Sequence, residues 1–400
     1  SPTNDNQRWK ESFKMSARKD ISVAVVGLGW MGQAHSRSLI RIPTLFPNRK
    51  FNAQLKVCAD FDSNRGQQSI EDFGFERATT DWKEAVTASD VDVVWVCAPN
   101  MLHIPIIKAA SEAGKAVFSE KPIGGKPEQT VEAFEVAKKH KTFTGVGYNY
   151  LWAPLVLHAK KMIESGELGE IIHYKGRFFS MYGSDELGLL SWRFKFDQAG
   201  YGVSSDILSH SVSLAQFLIG EITEVVGMKE TTIKQRPLPT GSSSHYSRGK
   251  VGDPTGEVEN EDFASMLCKF NNSATGTFET SRTVVGPESE NMFEIYGTKG
   301  ALKWNHESLN ELLYYKKDEK LESGYTKILG GDRFDFHGAF VPGQGNSLGT
   351  EDLICIEDYS FLTALVEGKT FKPSFAEAVE VVNVQSALIR SWESKRWETV

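Results

Sequence analysis

Four short stretches hold residue types that can do chemistry together. They are Gly27-Leu28-Gly29-Trp30-Met31-Gly32, Asn100-Met101-Leu102-His103, Glu120-Lys121-Pro122, and Asp206 with His210 four residues on. The glycines suit a phosphate cradle. The others supply amide, imidazole, ammonium and carboxylate groups. Hydride removal from an alcohol needs such a set, because a hydroxyl is too weak an acid to shed its proton unaided at neutral pH. Each stretch alone has a plainer explanation. An Asp and a His at this spacing share one helix face and are often only a surface ion pair. Lys121 suits an exposed turn before Pro122, and His103 suits a helix start. Their order along one chain is what points to a single site.

The cradle has the right flanks. Residues 21–26 read Ile-Ser-Val-Ala-Val-Val, an apolar β-branched run suited to a strand buried on both faces. Residues 33–40 have helical character, and strand, G-x-G-x-x-G, helix is the dinucleotide-binding context. Gly27 permits the turn, Gly29 lets the backbone approach a pyrophosphate, and Gly32 allows close helix packing; Trp30 and Met31 sit in the same loop against the cofactor. An acidic residue is expected ~20 residues further on. Asp60, closing Leu55-Lys56-Val57-Cys58-Ala59, stands somewhat beyond that, across the polar stretch 41–54. A carboxylate there accepts both ribose hydroxyls and repels a 2′-phosphate, and Phe61 and Asp62 place no base directly beside it. The expected cofactor is therefore NAD, with NADP disfavoured. Asp60 as a simple turn cap, or Asp62 as the ribose carboxylate, are the alternatives.

These groups need positioning elements. Strands are expected at 21–26, 55–60, 91–97, 115–118 and 143–147, and helices at 31–41, 63–73, 81–88, 104–113 and 127–140. This alternation implies a doubly wound parallel sheet covered by helices, with ligands at the carboxyl ends of its strands. Ala98, Asn100, His103, Glu120, Lys121 and Asn149 all fall just after an expected strand, so they share that rim as cofactor contacts. Beyond Asn149 the texture changes. A helix at 154–165 is followed by strand-like runs at 171–181, 223–233, 261–270, 273–284, 291–296, 300–304 and 311–317, joined mostly by short turns. One helix at 202–219 interrupts them, and helices at 351–367 and 374–394 close the chain. This pattern reads as a largely antiparallel sheet in an α+β domain. Polar, Gly-rich stretches at 234–260 and 318–350 are lids, subunit contacts or plain surface loops. The expected division is a dinucleotide-binding domain at 15–149 and a substrate-binding and oligomerisation domain at 150–400. Met15 is a candidate natural start with residues 1–14 an appended leader; the alternative is an arm reaching over the cofactor or a neighbouring subunit.

Composition narrows the class. Four hundred residues suit two domains, and 40% hydrophobic with 24% charged residues is ordinary for a soluble globular enzyme. A net charge of −7 and the lack of a basic, aromatic-laced patch argue against a nucleic-acid partner. No apolar run approaches the ~20 residues of a membrane span, and the polar start offers no signal peptide. A cytoplasmic location is the expectation. Cys58, Cys97, Cys268 and Cys355 are far apart beside apolar residues, as reduced core thiols are, and no metal site is expected.

From Ile21 to its end the chain resembles the Gfo/Idh/MocA oxidoreductases, the family of glucose–fructose oxidoreductase and inositol dehydrogenase. The resemblance rests on the four stretches above together with Tyr148-Asn149-Tyr150, Trp192-Arg193 and Phe375-Ala376-Glu377-Ala378. It implies an α/β Rossmann domain followed by an α+β domain with a large, open-faced, mostly antiparallel sheet. It also implies hydride transfer between a nicotinamide and a ring carbon of a sugar, glycoside or inositol-like polyol. Positions matching Lys121, Asp206 and His210 are catalytic in such enzymes. His210 would be the general base, Asp206 would hold its tautomer and raise its basicity, and Lys121 would stabilise charge on the substrate oxygen.

The chain departs from the family pattern at two places. Ala199-Gly200-Tyr201-Gly202 replaces a common glycine run, and Leu151 and Trp152 stand where an arginine is frequent. Loss of that cation disfavours an anionic substrate. Trp152 and Trp192 become candidates to lie on the apolar face of a sugar ring, core burial being the alternative for each. The expected substrate contacts are Lys121, Asn149, Trp152, Trp192, Arg193, Asp206 and His210. The rival functions are reduction of a non-sugar carbonyl on the same fold, and cofactor-binding regulation without turnover. The runs Met292-Phe293-Glu294-Ile295-Tyr296 and Leu312-Leu313-Tyr314-Tyr315 would expose apolar surface on a monomer, so a homodimer or homotetramer is expected.

Overall fold

The computed structural model describes residues 17–239 and 247–400. The expectations about residues 1–14 lie outside the described residues. The first sheet is wholly parallel, ordered β3-β2-β1-β4-β5-β6. Its strands are β1 (Lys19–Val26), β2 (Phe51–Ala59), β3 (Arg77–Thr79), β4 (Val93–Val96), β5 (Ala116–Ser119) and β6 (Thr144–Val146). Val23 to Val26 and Val93 to Val96 are all nearly solvent-free, as a sheet covered on both faces requires. The covering helices are α1 (Trp30–Leu45), α2 (Ser63–Phe73), α3 (Trp82–Thr87), α4 (Asn100–Glu112) and α5 (Pro127–Lys139). The strand order reverses direction between β1 and β4, the switch point at which such sheets bind ligands.

The second sheet has nine strands, of which only the β7 (Ile171–Ser180) and β12 (Thr275–Ser281) pair is parallel. Between them in sequence come β8 (Ile222–Glu230) and β11 (Phe263–Phe270) of this sheet, and β9 (Gln235–Pro237) and β10 (Thr255–Glu257), which pair antiparallel as a separate two-stranded sheet. After them come β13 (Ser289–Gly297), β14 (Gly300–Asn305), β15 (Glu311–Lys316), β16 (Tyr325–Leu329) and β17 (Glu398–Thr399). Residues alternate strictly across β13: Asn291, Phe293 and Ile295 are buried, while Met292, Glu294 and Tyr296 are half-exposed. The outward face is thus mixed rather than apolar. Phe293 and Leu312 point into the core, and ion pairs such as Arg177–Glu290 and Lys303–Glu294 dress the outside.

Three expectations need correction. Short strands β3, β16 and β17 and the antiparallel β9–β10 pair form where the sequence predicts no strand, because two to five residues carry too little periodicity. The division at residue 149 follows chain order but not packing. The helix Thr350–Glu367 returns to the first sheet, where Phe361 packs against Trp95 and Phe118. The expected helix 202–219 is broken at Ile207 into Val203–Asp206 and Leu208–Leu218. The His210 N–H bonds the Ile207 carbonyl instead of continuing the α-helical ladder to Asp206, whose carbonyl accepts from Lys121 Nζ. All four cysteines are free thiols. No helix among the described residues is long and apolar enough to cross a membrane.

Candidate active site

A cleft of about 670 Å³ runs along the carboxyl edge of the first sheet and reaches the second. One part is the cradle. Gly27 has φ +92°, and a Cβ on it would come within 2.6 Å of the Cys97 and Ala98 main chain; one on Gly32 would come within 1.8 Å of the Gly27 carbonyl oxygen. The loop therefore accepts only glycine at both points. The helix Trp30–Leu45 begins beyond Gly29 with no side chain capping it, so its first N–H groups stay available to phosphate oxygens. Trp30, Met31, Ala98 and Asn100 line the cleft here, whereas Gly32 packs behind the loop. These features fit a dinucleotide.

Asp60 is both ribose candidate and cap. Its carboxylate accepts from the Leu28 and Asp62 N–H groups at 2.9 Å each, pinning the glycine loop to the end of β2. Each oxygen keeps a further lone pair for a ribose hydroxyl. Asp62 instead caps the next helix through Asn64 N–H. Arg65 lies 3.8 Å from Asp60 and also lines the cleft, a base absent from the immediate sequence neighbourhood. NAD should be preferred over NADP by at least ~10-fold in kcat/KM, ~1.4 kcal/mol. Asp60→Ala should narrow that preference, removing the repulsion and freeing Arg65 to face a 2′-phosphate. Equal use of both cofactors by the unaltered protein would overturn this.

The other part of the cleft gathers Lys121, Asn149, Trp192, Arg193, Asp206 and His210. Lys121 follows β5 and Asp206 ends a short helix, 85 residues apart in sequence, yet Lys121 Nζ lies 3.1 Å from Asp206 Oδ1. The Tyr182 hydroxyl donates to the other carboxylate oxygen at 3.0 Å. Burial tends to raise the Asp206 pKa. The charges of Lys121 and Arg193 and the bonds from Lys121 and Tyr182 outweigh it and hold the group ionised. Lys121 spends two of its three N–H groups on Asp206, leaving one for a substrate oxygen.

His210 is 5% exposed, its ring 4.7 Å from Tyr150 and 5.9 Å from Phe178. Its basicity runs opposite to expectation. Burial depresses its pKa well below the usual histidine value, Lys121 and His306 add to that, and Asp206 opposes without winning. Asp206 spends its carboxylate on Lys121 and Tyr182, so the expected Asp206–His210 partnership gives way to an Asp206–Lys121 pair. His210 is consequently neutral near pH 7, the form a base must have.

Trp152 is not brought to the cleft. It stacks on Phe371 at 5.7 Å and packs into the core, so the substrate contact expected of it is corrected to a packing role. Trp192 does line the cleft, with the Arg193 guanidinium over its ring. His103 lines it too, but its nitrogens face the Ala98 and Ile123 carbonyls at 2.6 and 3.1 Å, making it a brace between two loops. Sequence reasoning missed Tyr182 and left Tyr150 without a role. Nothing local marks Tyr182, while Tyr150 belongs to the Tyr-Asn-Tyr run already noted.

Two family models match this architecture. The NAD-binding Rossmann fold of the oxidoreductase family covers residues 21–148, and the GFO/IDH/MocA C-terminal domain covers 156–303. The chain belongs to the Gfo/Idh/MocA oxidoreductases. It is 31% identical over 384 residues to levoglucosan dehydrogenase of Pseudarthrobacter phenanthrenivorans, spanning 96% of this chain and 98% of that protein. It is 29% identical to a Bacillus subtilis scyllo-inositol 2-dehydrogenase (NAD(+)), over 70% of this chain and 73% of the relative. The solved structure of levoglucosan dehydrogenase in complex with NADH and levoglucosan superposes with a TM-score of 0.89 at 30% identity, covering 96% of this chain and 100% of that one. This oxidoreductase is NAD-dependent and acts on CH–OH groups.

Proposed function

We propose that this oxidoreductase converts one ring hydroxyl of a compact sugar, glycoside or cyclic polyol to a ketone. The observation that carries the reading is the convergence of Lys121, Asp206 and His210 beside the dinucleotide cradle. NAD, when bound, supplies the hydride acceptor. The chain's own residues do the rest. His210, neutral and enclosed by aromatic rings, takes the hydroxyl proton. Lys121 directs its remaining N–H at the same oxygen and stabilises the charge developing there. Asp206 fixes the lysine head. Trp192 offers an apolar face to the sugar ring, and Asn149 and Arg193 offer donors to its other hydroxyls. The named substrates of the relatives, levoglucosan and scyllo-inositol, support a ring substrate of this size.

The test is NADH absorbance across levoglucosan, scyllo- and myo-inositol, L-sorbose and simple glucosides, with product analysis to locate the oxidised carbon. Saturable turnover on at least one ring polyol is expected. Turnover confined to acyclic or non-sugar carbonyl substrates would overturn the reading.

The outward face of the second sheet bears on assembly. Met228 and Leu267 are half-exposed on it beside the mixed row of Met292, Tyr296, Leu313 and Tyr315. Pairing of two such faces about a two-fold axis should give light scattering a mass of two or four chains at micromolar concentration. A monomer mass would end the idea.

A further inference from the structure

The glutamate of Glu120-Lys121-Pro122 is held by a buried ion chain that reaches the helix Thr350–Glu367. His35, on the helix Trp30–Leu45, is wholly buried. Each of its ring nitrogens faces a carboxylate: Nε2 lies 2.6 Å from Glu120 Oε1 and Nδ1 lies 2.8 Å from Asp358 Oδ2. Both nitrogens donate only in the imidazolium form. Burial opposes that charge, but Asp358 and Glu120 outweigh it and push the His35 pKa well above the usual value. Trp95 Nε1 donates to Asp358 at 3.2 Å and keeps that carboxylate turned toward the ring.

Glu120 has little freedom. Its Oε2 accepts from the Lys121 N–H at 3.3 Å. The carboxylate rests on Gly147, where a Cβ would come within 2.6 Å of Oε2, so only glycine leaves it room. Glu357, beside Asp358, is also buried, and neither of its carboxyl oxygens has a hydrogen-bond partner. Burial, then Glu120 and Asp358, raise its pKa well above the usual glutamate value. Two buried carboxylates, Glu120 and Asp358, therefore share one imidazole ring. Buried charge of that kind is unfavourable unless something offsets it. Of the two carboxylates, Glu120 is the one that lines the cleft, next to Lys121.

The alcohol held by Lys121 and His210 must meet the redox ring of the cofactor at this part of the cleft. That ring is a cation when oxidised and neutral when reduced. We propose that Asp358 and His35 are positioning residues that hold Glu120 as a fixed anion, strengthening the binding of NAD+ relative to NADH. The attraction acts on one redox state only, so it favours occupancy of the site by NAD+ over NADH and leaves the overall equilibrium of the reaction unchanged. The inference rests on NAD as cofactor and not on the sugar reading, because it is read by binding without substrate.

The experiment measures Kd for NAD+ and NADH on the full chain by calorimetry and NADH fluorescence. Glu120→Gln removes the charge and keeps an acceptor for His35. It should raise the NAD+ Kd about tenfold while moving the NADH Kd by less than about twofold. Asp358→Asn should shift the ratio in the same direction and by less. His35→Gln, which still offers Glu120 one N–H, should stay nearer the unaltered ratio than His35→Ala. If one variant fails to fold, the ratio in those that fold decides. Equal weakening of both cofactors would show a merely structural cluster, and an unchanged ratio in Glu120→Gln would end the proposal. So would one equivalent of divalent metal in the purified protein, lost in Glu357→Gln. His35, Glu120 and Glu357 have candidate ligand atoms within 4.8 Å of one another, and that result would make the cluster a metal site.

Discussion

His210→Ala should lower kcat by roughly 10²–10⁴-fold with NAD affinity little changed. The loss follows from the base's position. Among the described residues lining the cleft with Lys121, the other imidazole, His103, has both ring nitrogens facing main-chain carbonyls and is not free to take the proton. The cofactor cradle is built from the glycine loop and Asp60, which the substitution leaves untouched. The pH profile gives a second readout. A base works in its neutral form, so kcat/KM should rise with pH through the His210 pKa and stay flat above it. Because burial and Lys121 depress that pKa, the rising limb should lie below the ordinary histidine value of ~6.5. The Asp206 carboxylate raises the His210 pKa, so Asp206→Asn should move the limb lower still. Near-normal turnover by His210→Ala, with NAD bound, would show that the imidazole is only a core residue.

Lys121→Ala should cost a comparable ~10²–10⁴ in kcat, and KM for the alcohol should rise as well. The ammonium is asked to do two things, holding the substrate oxygen and neutralising the charge that grows on it. Lys121→Arg should not restore the rate. A planar fork cannot place donors on the Asp206 carbonyl, the Asp206 carboxylate and a substrate oxygen as a compact ammonium does. Removing Lys121 also removes a cation that depresses His210, so the acid limb should shift to higher pH in Lys121→Ala. A lysine that served only to brace the loop would leave KM and the limb in place. Steady-state kinetics on whichever ring polyol the panel identifies, across pH 4 to 9, would separate these outcomes.

How much was legible in the residues alone depends on how far apart the interacting groups lie in the chain. The cradle was readable because strand, glycines and helix start are contiguous, and each glycine answers a local steric demand. The α/β alternation and the later antiparallel run were readable for the same reason, since buried strands such as Val93–Val96 and amphipathic alternation such as that of β13 are local periodicities. Lys121, Asp206 and His210 were legible as a set through motif order, and they do line one cleft.

Their pairing was not legible. The i, i+4 spacing suggested Asp206 with His210 on one helix, but the helix breaks at Ile207 and Asp206 turns to Lys121, 85 residues away. Tyr182 joins them from the turn after β7, at a position no local pattern marks. Trp152 looked like a sugar platform and is core, because the return of Phe371 covers it. His35, Glu120 and Asp358 show the extreme case. Nothing near any of them signals a partner, and Asp358 comes from 323 residues beyond His35. Spacing along a chain reports which side of its own element a residue occupies. Which charge meets which, and so which pKa rises or falls, is decided only when the last helices fold back onto the first sheet.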